Sequence, residues 1–346
     1  MKLTNFSYKG TTEFGFSYQG KLFPFSRFER ILDPDQRELL KNMEAYLSNI
    51  DQSFPSALRV QHHVGASLQM LSEGVDYFPE QQVRLEMPLV PRVFLDFLTS
   101  PRHVYASART LVRHEYPRVL EPLIAALMLR QYKRVSKHCL KPEIPDYYKG
   151  IVDSFASHDT PLIWPSYTSY LDVEPELGFV TGRSNVSQIA GYVFINDCSA
   201  RDVQVPDQRR SFMGPQRSKD FQTIIGPYLV TPDEVEDPFN LDVTVHIGDR
   251  YVWKGSTCDY NMSADETLAF MQTIYDVKPG TLVAHGTIPG CCGLDNDLWV
   301  RPGEEVTMEF AGLGRMRSSI EIPERISRAQ ATRWGERQEL KPFYTN

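Results

Sequence analysis

Apolar and polar positions follow two regimes along the chain. Residues 1 to about 25 alternate in short runs around Asn5, Ser7 and Tyr8 and again from Thr12 to Tyr18, with Gly10 between them, which predicts short strands. Asp33-Pro34-Asp35 then reads as a helix start, with Leu39, Leu40, Met43, Tyr46 and Leu47 at helical spacing. Residues 82–90 alternate once more and run into Pro91, which marks a boundary. Between 117 and 144, Leu120, Leu123, Ile124 and Leu127 form a helical stripe. The basic run Arg130, Lys133, Arg134, Lys137 and Lys141 after it reads as a solvated helix face.

From about 162 the pattern turns to strands. Residues 189–196 are mostly apolar, and 243–247 and 251–253 flank Gly248-Asp249-Arg250, a hairpin signal. Ser263-Ala-Asp-Glu266 is a capping box that predicts a helix running to Lys278-Pro279-Gly280. Further strands are expected at 281–285, 305–310 and 317–322. Strands do not alternate with helices, which argues against a Rossmann fold or a TIM barrel and for an α+β, mostly β fold. The expected organisation is a small β-rich N-terminal accessory domain over 1–90, a large unit over 91–324 and a C-terminal tail or helix over 325–346.

Composition changes the picture only at the margins. The 346 residues carry 37 basic and 44 acidic side chains, a formal charge of −7, which disfavours a nucleic-acid partner. No run approaches the ~20 apolar residues of a membrane span. The first residues lack an apolar core of secretory length, and the five cysteines include no C-x-x-C pair. A cytoplasmic location and a site without structural disulfides are therefore expected.

The acidic residues are gathered rather than spread. In Leu171-Asp-Val-Glu-Pro-Glu-Leu177, a strand would put Asp172, Glu174 and Glu176 on one face. Pro175 cannot donate to a ladder, so this strand is expected at an edge or at a bulge. Such a cluster either faces water or needs a cation, and oxygen-only ligands suit Mg²⁺ or Ca²⁺, with Mn²⁺ also compatible. Polar groups crowd after the apolar strand in Asn196-Asp-Cys-Ser-Ala-Arg-Asp-Val-Gln204. Lys219-Asp-Phe-Gln-Thr223 and the glycine-punctuated loop His285-Gly-Thr-Ile-Pro-Gly290 follow.

With these pieces in this order, the chain resembles the fumarylacetoacetase (fumarylacetoacetate hydrolase) superfamily over about 91–322. The resemblance implies a mixed β-sandwich roll, a homodimer, and a divalent metal held by Asp96, Glu174, Glu176 and Asp197. Lys219 and Thr223 would stand beside that metal. It further implies His103 as general base, Arg201, Gln204 and Lys219 as groups orienting the substrate and its oxyanion, and Thr287 and Tyr148 as substrate contacts. The family's base histidine is paired with a glutamate. Here the local position is Ala106, the distal one lies near Arg301, and Glu115 and Glu121 are candidates by proximity after His103. The implied activity is metal-dependent hydrolysis of a carbon–carbon bond in a small 1,3-dicarbonyl acid. Decarboxylation, hydration or isomerisation of a small oxo acid is the alternative, followed by a non-catalytic binding protein.

Overall fold

The computed structural model describes residues 1–117, 119–120, 122–124, 126–127, 130, 145–211, 215–328 and 334–345. Strands β1 (Lys2–Tyr8), β2 (Thr11–Tyr18) and β3 (Lys21–Pro24) form an antiparallel meander where alternation predicted strands. Helices α1 (Pro34–Leu39), α2 (Met43–Ser48) and α3 (Ile50–Ser67) follow. Asp33 starts α1 through a reciprocal box: its side chain accepts from the Gln36 N–H, and the Gln36 side chain accepts from the Asp33 N–H. Strand β4 (Phe78–Pro79) precedes β5 (Arg84–Leu85), which is all the ladder that the alternating stretch 82–90 makes.

The central part contains β6 (Val93–Phe97), helix α4 (Pro101–Glu115), β7 (Tyr147–Gly150), β8 (Phe155–Ser157), β9 (Leu162–Ile163), β10 (Leu171–Asp172), β11 (Pro175–Thr181), β12 (Ile189–Asp197) and β13 (Ser199–Ala200). Helix α5 (Arg201–Ser211) leads to β14 (Thr223–Ile225), β15 (Leu229–Val230), β16 (Asp242–Ile247) and β17 (Tyr251–Ser256). Helix α6 (Ala264–Gln272), β18 (Thr281–Thr287), helix α7 (Gly293–Asn296), β19 (Glu305–Phe310) and β20 (Gly314–Glu321) complete the chain of elements.

The strands form a 13-stranded mixed sheet, a five-stranded sheet in the order β17-β16-β19-β20-β9, and the pair β10–β13. This is an α+β architecture. Strand β12 shows why the apolar run at 189–196 is continuous. Ile189, Tyr192 and Phe194 enter the core shared with the five-stranded sheet, whereas Ala190, Val193 and Ile195 enter the core under α1–α3. Both faces are buried, so no polar alternation survives. Phe194 stacks on Phe310 across the two sheets, with ring centroids 4.7 Å apart.

Residues 1–90 join this body rather than standing apart. Lys2 and Leu3 of β1 pair with Val230 and Leu229 of β15, and Leu3, Phe16 and Val60 share a core with Val180, Ile195 and Leu282. Two expectations change in detail. Helix α6 has its capping box but ends at Gln272, where Thr273 donates its N–H and hydroxyl to Phe270 O, several residues before Pro279. Strand β11 is central, between β12 and β18, not at an edge. Its Pro175 is the first residue, where no ladder donor is required, and the register shifts against β18 between Glu176 and Gly178. Described residues of the C-terminal stretch make contacts: Ile326 pairs with Tyr344, and Trp334 stacks on His114.

Leu120, Leu123 and Leu127 are exposed, while Lys133, Arg134, Lys137 and Lys141 lie outside the described residues. Among the described residues, no helix is long and apolar enough to cross a membrane.

His285 on β18 is fully buried among the rings of Phe179, Phe239 and Tyr260. Burial lowers its pKa to about 4, against ~6.5 when solvated. Below pH ~6.5 the unfolded chain takes up a proton that the folded chain refuses, so this residue makes stability fall as pH drops. The loss amounts to about 3 kcal/mol by the time pH reaches the folded value. Melting curves between these limits are expected to show this slope in the native protein and its absence in His285→Gln.

Candidate active site

Strand register assembles the site. Strands β7, β6, β18, β11 and β12 lie side by side in that order, and β14 also pairs with β12. The ladders set Tyr148 opposite Asp96, Thr287 opposite Glu176, and Asp197 opposite Thr223. Gly286 has φ +90°, and a Cβ there would sit 2.5 Å from Phe97 O, so only glycine lets β18 pass this close to the end of β6.

Asp96, Glu176 and Asp197 bring carboxylate oxygens within 4.8 Å of one another. All three are buried, and among the described residues Asp96 Oδ1 and Glu176 Oε2 have no hydrogen-bond partner. Burial, reinforced by the neighbouring carboxylates, pushes Asp96 up to about 7 and Glu176 well above the usual range. Burial also raises Asp197, against the pull of Lys219. Hard oxygen donors, orphaned oxygens and uncompensated repulsion together fit one hard divalent cation.

Glu174 stands a step away. Its carboxylate accepts from Arg201, Lys219 and the Ser199 hydroxyl, the last at 3.1 Å. Although burial opposes ionisation, Arg201 and Lys219 hold Glu174 below the ordinary carboxylate range. The Lys219 ammonium also donates to Asp197 Oδ2 at 2.5 Å, and Tyr148 donates its hydroxyl to the same oxygen at 2.5 Å. Thr223 Oγ1 is 3.5 Å from Asp197 Oδ1, and Thr287 Oγ1 is 3.3 Å from Glu176 Oε1.

The acidic run 171–177 is not one strand face. Asp172 ends β10 and Glu176 is the second residue of β11. Asp172 accepts from Arg201 Nε at 2.8 Å and from the Gly293 and Leu294 N–H groups at 2.6 and 2.9 Å. Arg201 thereby bridges Asp172 and Glu174, and its Nη1 donates to Gln204 Oε1 at 3.0 Å.

His103 lies in the first turn of α4, where its N–H donates to Ser100 Oγ at 3.3 Å. Its Nδ1 is 2.9 Å from Asp295 Oδ1, and its Nε2 is 3.8 Å from Glu174 Oε1. Burial disfavours the imidazolium, but Asp295 and, more weakly, Glu174 together outweigh it and raise the His103 pKa. Asp295 is therefore the acid beside His103, a residue absent from the sequence-derived set. Of the positions weighed there, Glu115 accepts from Trp334 Nε1 at 2.5 Å, Arg301 sits 3.8 Å from Glu339, and Glu121 lies outside the described residues. The available signal was the spacing Cys292-Gly-Leu-Asp295, a short helix start just after the Thr287 loop, in which Cys292 Sγ accepts from the Asp295 N–H.

A cavity of about 360 Å³ is lined by Asp96, His103, Tyr148, Glu174, Glu176, Arg201, Gln204, Lys219 and Thr287. Asp197 and Thr223, both buried, are not part of this lining. A larger groove of about 910 Å³ carries Arg92, Arg183 and Lys278 and no member of the expected site.

Residues 125–321 match the family described as fumarylacetoacetate (FAA) hydrolase, C-terminal. The chain belongs to this family. The match holds the Glu174, Glu176, Asp197, Lys219, Thr287 and Asp295 positions, while Asp96 and His103 precede it. A bifunctional isomerase/decarboxylase of 4-hydroxyphenylacetate degradation from Salmonella dublin is 28% identical over 52% of this chain and 42% of that protein. The alignment thus spans less than half of that relative. The 2,4-didehydro-3-deoxy-L-rhamnonate hydrolase of Sphingomonas sp. (strain SKA58) is 25% identical over 67% of this chain and 86% of that protein. The structure of maleylpyruvate hydrolase from Sphingobium sp. SYK-6 in complex with manganese(II) and pyruvate superposes with a TM-score of 0.61 at 17% identity, covering 93% of this chain and 99% of that one. It shares the fold. Curated relatives include a hydrolase, an isomerase/decarboxylase and an oxaloacetate tautomerase, so the family is one of enzymes.

Arg201→Met keeps side-chain bulk but strands Asp172 and Glu174 without their shared cation. Unfolding by urea is expected to show a loss of about 3–5 kcal/mol, the usual result of breaking a buried ion pair from one side.

Proposed function

We propose that the chain is a divalent-metal-dependent hydrolase that cleaves a carbon–carbon bond in a small 1,3-dicarbonyl acid of the acylpyruvate class. One observation carries the reading: Asp295 stands 2.9 Å from the Nδ1 of His103, and His103 lines the cavity into which Asp96, Glu174 and Glu176 also face. Asp96, Glu176 and Asp197 would hold Mg²⁺, Mn²⁺ or Ca²⁺, and Glu174 can join them by exchanging its Lys219 contact for the cation. Once bound, the cation acts as a Lewis acid that polarises a substrate oxygen.

The chain's own residues account for the remaining steps. Asp295 fixes the tautomer with the proton on Nδ1, which leaves the Nε2 lone pair facing the cavity. His103 Nε2 takes a proton from water, and the hydroxide adds to the acyl carbonyl. The carbon–carbon bond then breaks, its electron pair moves into the enolate of the pyruvate half, and His103 returns the proton to that carbon. Lys219 adds positive field where this negative charge develops. Gln204 turns its oxygen to Arg201, so its amide nitrogen is the donor available to a substrate carboxylate.

Acylpyruvates incubated with the Mn²⁺-loaded protein are expected to give pyruvate and a second carboxylic acid. His103→Asn should lower kcat by about 10²–10⁴-fold. Carbon dioxide from oxaloacetate, with acylpyruvates left intact, would replace this reading by the decarboxylase alternative. Mn²⁺ at a hundred times its Kd should stabilise the native protein by about 2.7 kcal/mol. In Glu176→Gln that thermal shift should disappear.

A further inference from the structure

Behind His103, on the side away from the carboxylate cluster, lies a second group of potential ligands. His103 Nδ1, Cys292 Sγ and Asp295 Oδ1 all lie within 4.8 Å of one another. The Nδ1–Sγ distance is 3.9 Å and the Nδ1–Oδ1 distance 2.9 Å. The Asp295 side chain is 1% exposed, and its Oδ1 faces the His103 imidazole. Its other oxygen is fixed by the Gly290 N–H at 2.8 Å. Cys292 is fully buried at the start of α7.

We propose that His103, Cys292 and Asp295 form a second metal site, selective for a borderline-soft ion such as Zn²⁺, and that its occupation silences His103. The donor set decides the ion. One nitrogen, one thiolate sulfur and one carboxylate oxygen suit Zn²⁺, whereas the Asp96–Glu176–Asp197 cluster offers only hard oxygens. A tetrahedral Zn²⁺ would set the nitrogen about 3.4 Å from the oxygen and about 3.6 Å from the sulfur. The observed 2.9 Å is shorter than the first value and the observed 3.9 Å longer than the second, so side-chain shifts of about half an ångström close the site. Of the three ligands His103 lines the cavity and Cys292 and Asp295 do not, so an ion would enter past the imidazole, and the fourth coordination position would fall to water.

The consequence for His103 follows from proton bookkeeping. Zn²⁺ takes the Nδ1 lone pair, the imidazole proton moves to Nε2, and the Cys292 thiol proton leaves to solvent. Nε2 then has no lone pair for water. This consequence rests on His103 acting as the base, as proposed above; the metal site itself does not.

Co²⁺ serves as the probe, because thiolate ligation gives a near-ultraviolet charge-transfer band and oxygen ligation does not. The full-length protein, first saturated with Mg²⁺, is titrated with Co²⁺ alongside Cys292→Ser and Cys291→Ser. Serine at 292 preserves a helix-capping oxygen while removing the thiolate. The expected result is a saturable one-equivalent band in the native protein and in Cys291→Ser, absent from Cys292→Ser. A native protein without the band overturns the proposal whatever the variants do, as does a band that persists in Cys292→Ser. Turnover supplies the second readout. Zn²⁺ should inhibit the Mg²⁺ enzyme, with the half-inhibitory concentration raised at least roughly tenfold in Cys292→Ser. Unchanged Zn²⁺ sensitivity in that variant overturns the link to His103. A cobalt band in a protein that turns over no acylpyruvate would sink the hydrolase reading and leave the metal site standing.

Discussion

Five buried carboxylates, Asp96, Asp172, Glu174, Glu176 and Asp197, share one region of the fold with two buried cations, Lys219 and Arg201. That imbalance organises the site. Arg201 binds Asp172 and Glu174, and Lys219 binds Glu174 and Asp197. Neither cation touches Asp96 or Glu176. The cost of burying like charges is thus concentrated on one side of the cluster, where burial and repulsion drive the carboxyl pKa values upward. The same arrangement keeps Glu174 ionised beside His103.

The large sheet is what makes this imbalance tolerable. Asp96, Glu176 and Asp197 come from three strands whose order and register are fixed by ladders continuing well beyond the site, with apolar cores on both faces. Carboxylates on flexible loops would move apart to relieve repulsion; here the backbone holds them. The helices supply the groups that need a different direction of approach. The first turn of α4 presents His103, and α7 presents Asp295 while its leading N–H groups satisfy Asp172. A single short helix therefore supports both the ion-paired carboxylates and the histidine.

Much of this was legible from residue types and periods. The β1–β3 meander, the capping boxes at Asp33 and Ser263, the hairpin at Gly248 and the doubly buried strand β12 all occur where local pattern predicts them. The glutamates were legible from alternation, whereas Asp197 and Lys219 joined them only through the resemblance to the fumarylacetoacetase family. The acidic alternation at 171–177 misled in one respect. It reads as a single edge strand with three carboxylates in a row, but the chain breaks at Val173-Glu174 and sends Asp172 to a different set of partners.

Sequence by itself determined which side chains could carry charge, where many of the strands and helices start, and that acidic groups gather near residue 174. Those are local properties, set by residue chemistry and by the two- and 3.6-residue periods. Only the tertiary structure decided that Asp295, not a nearby glutamate, meets His103, that Arg201 ties Asp172 to Glu174, and that Cys292 lies against the same imidazole. The reason is that these contacts join segments far apart in the chain. They are chosen by how β18 and α7 fold back over α4, and spacing along a sequence carries no record of that path.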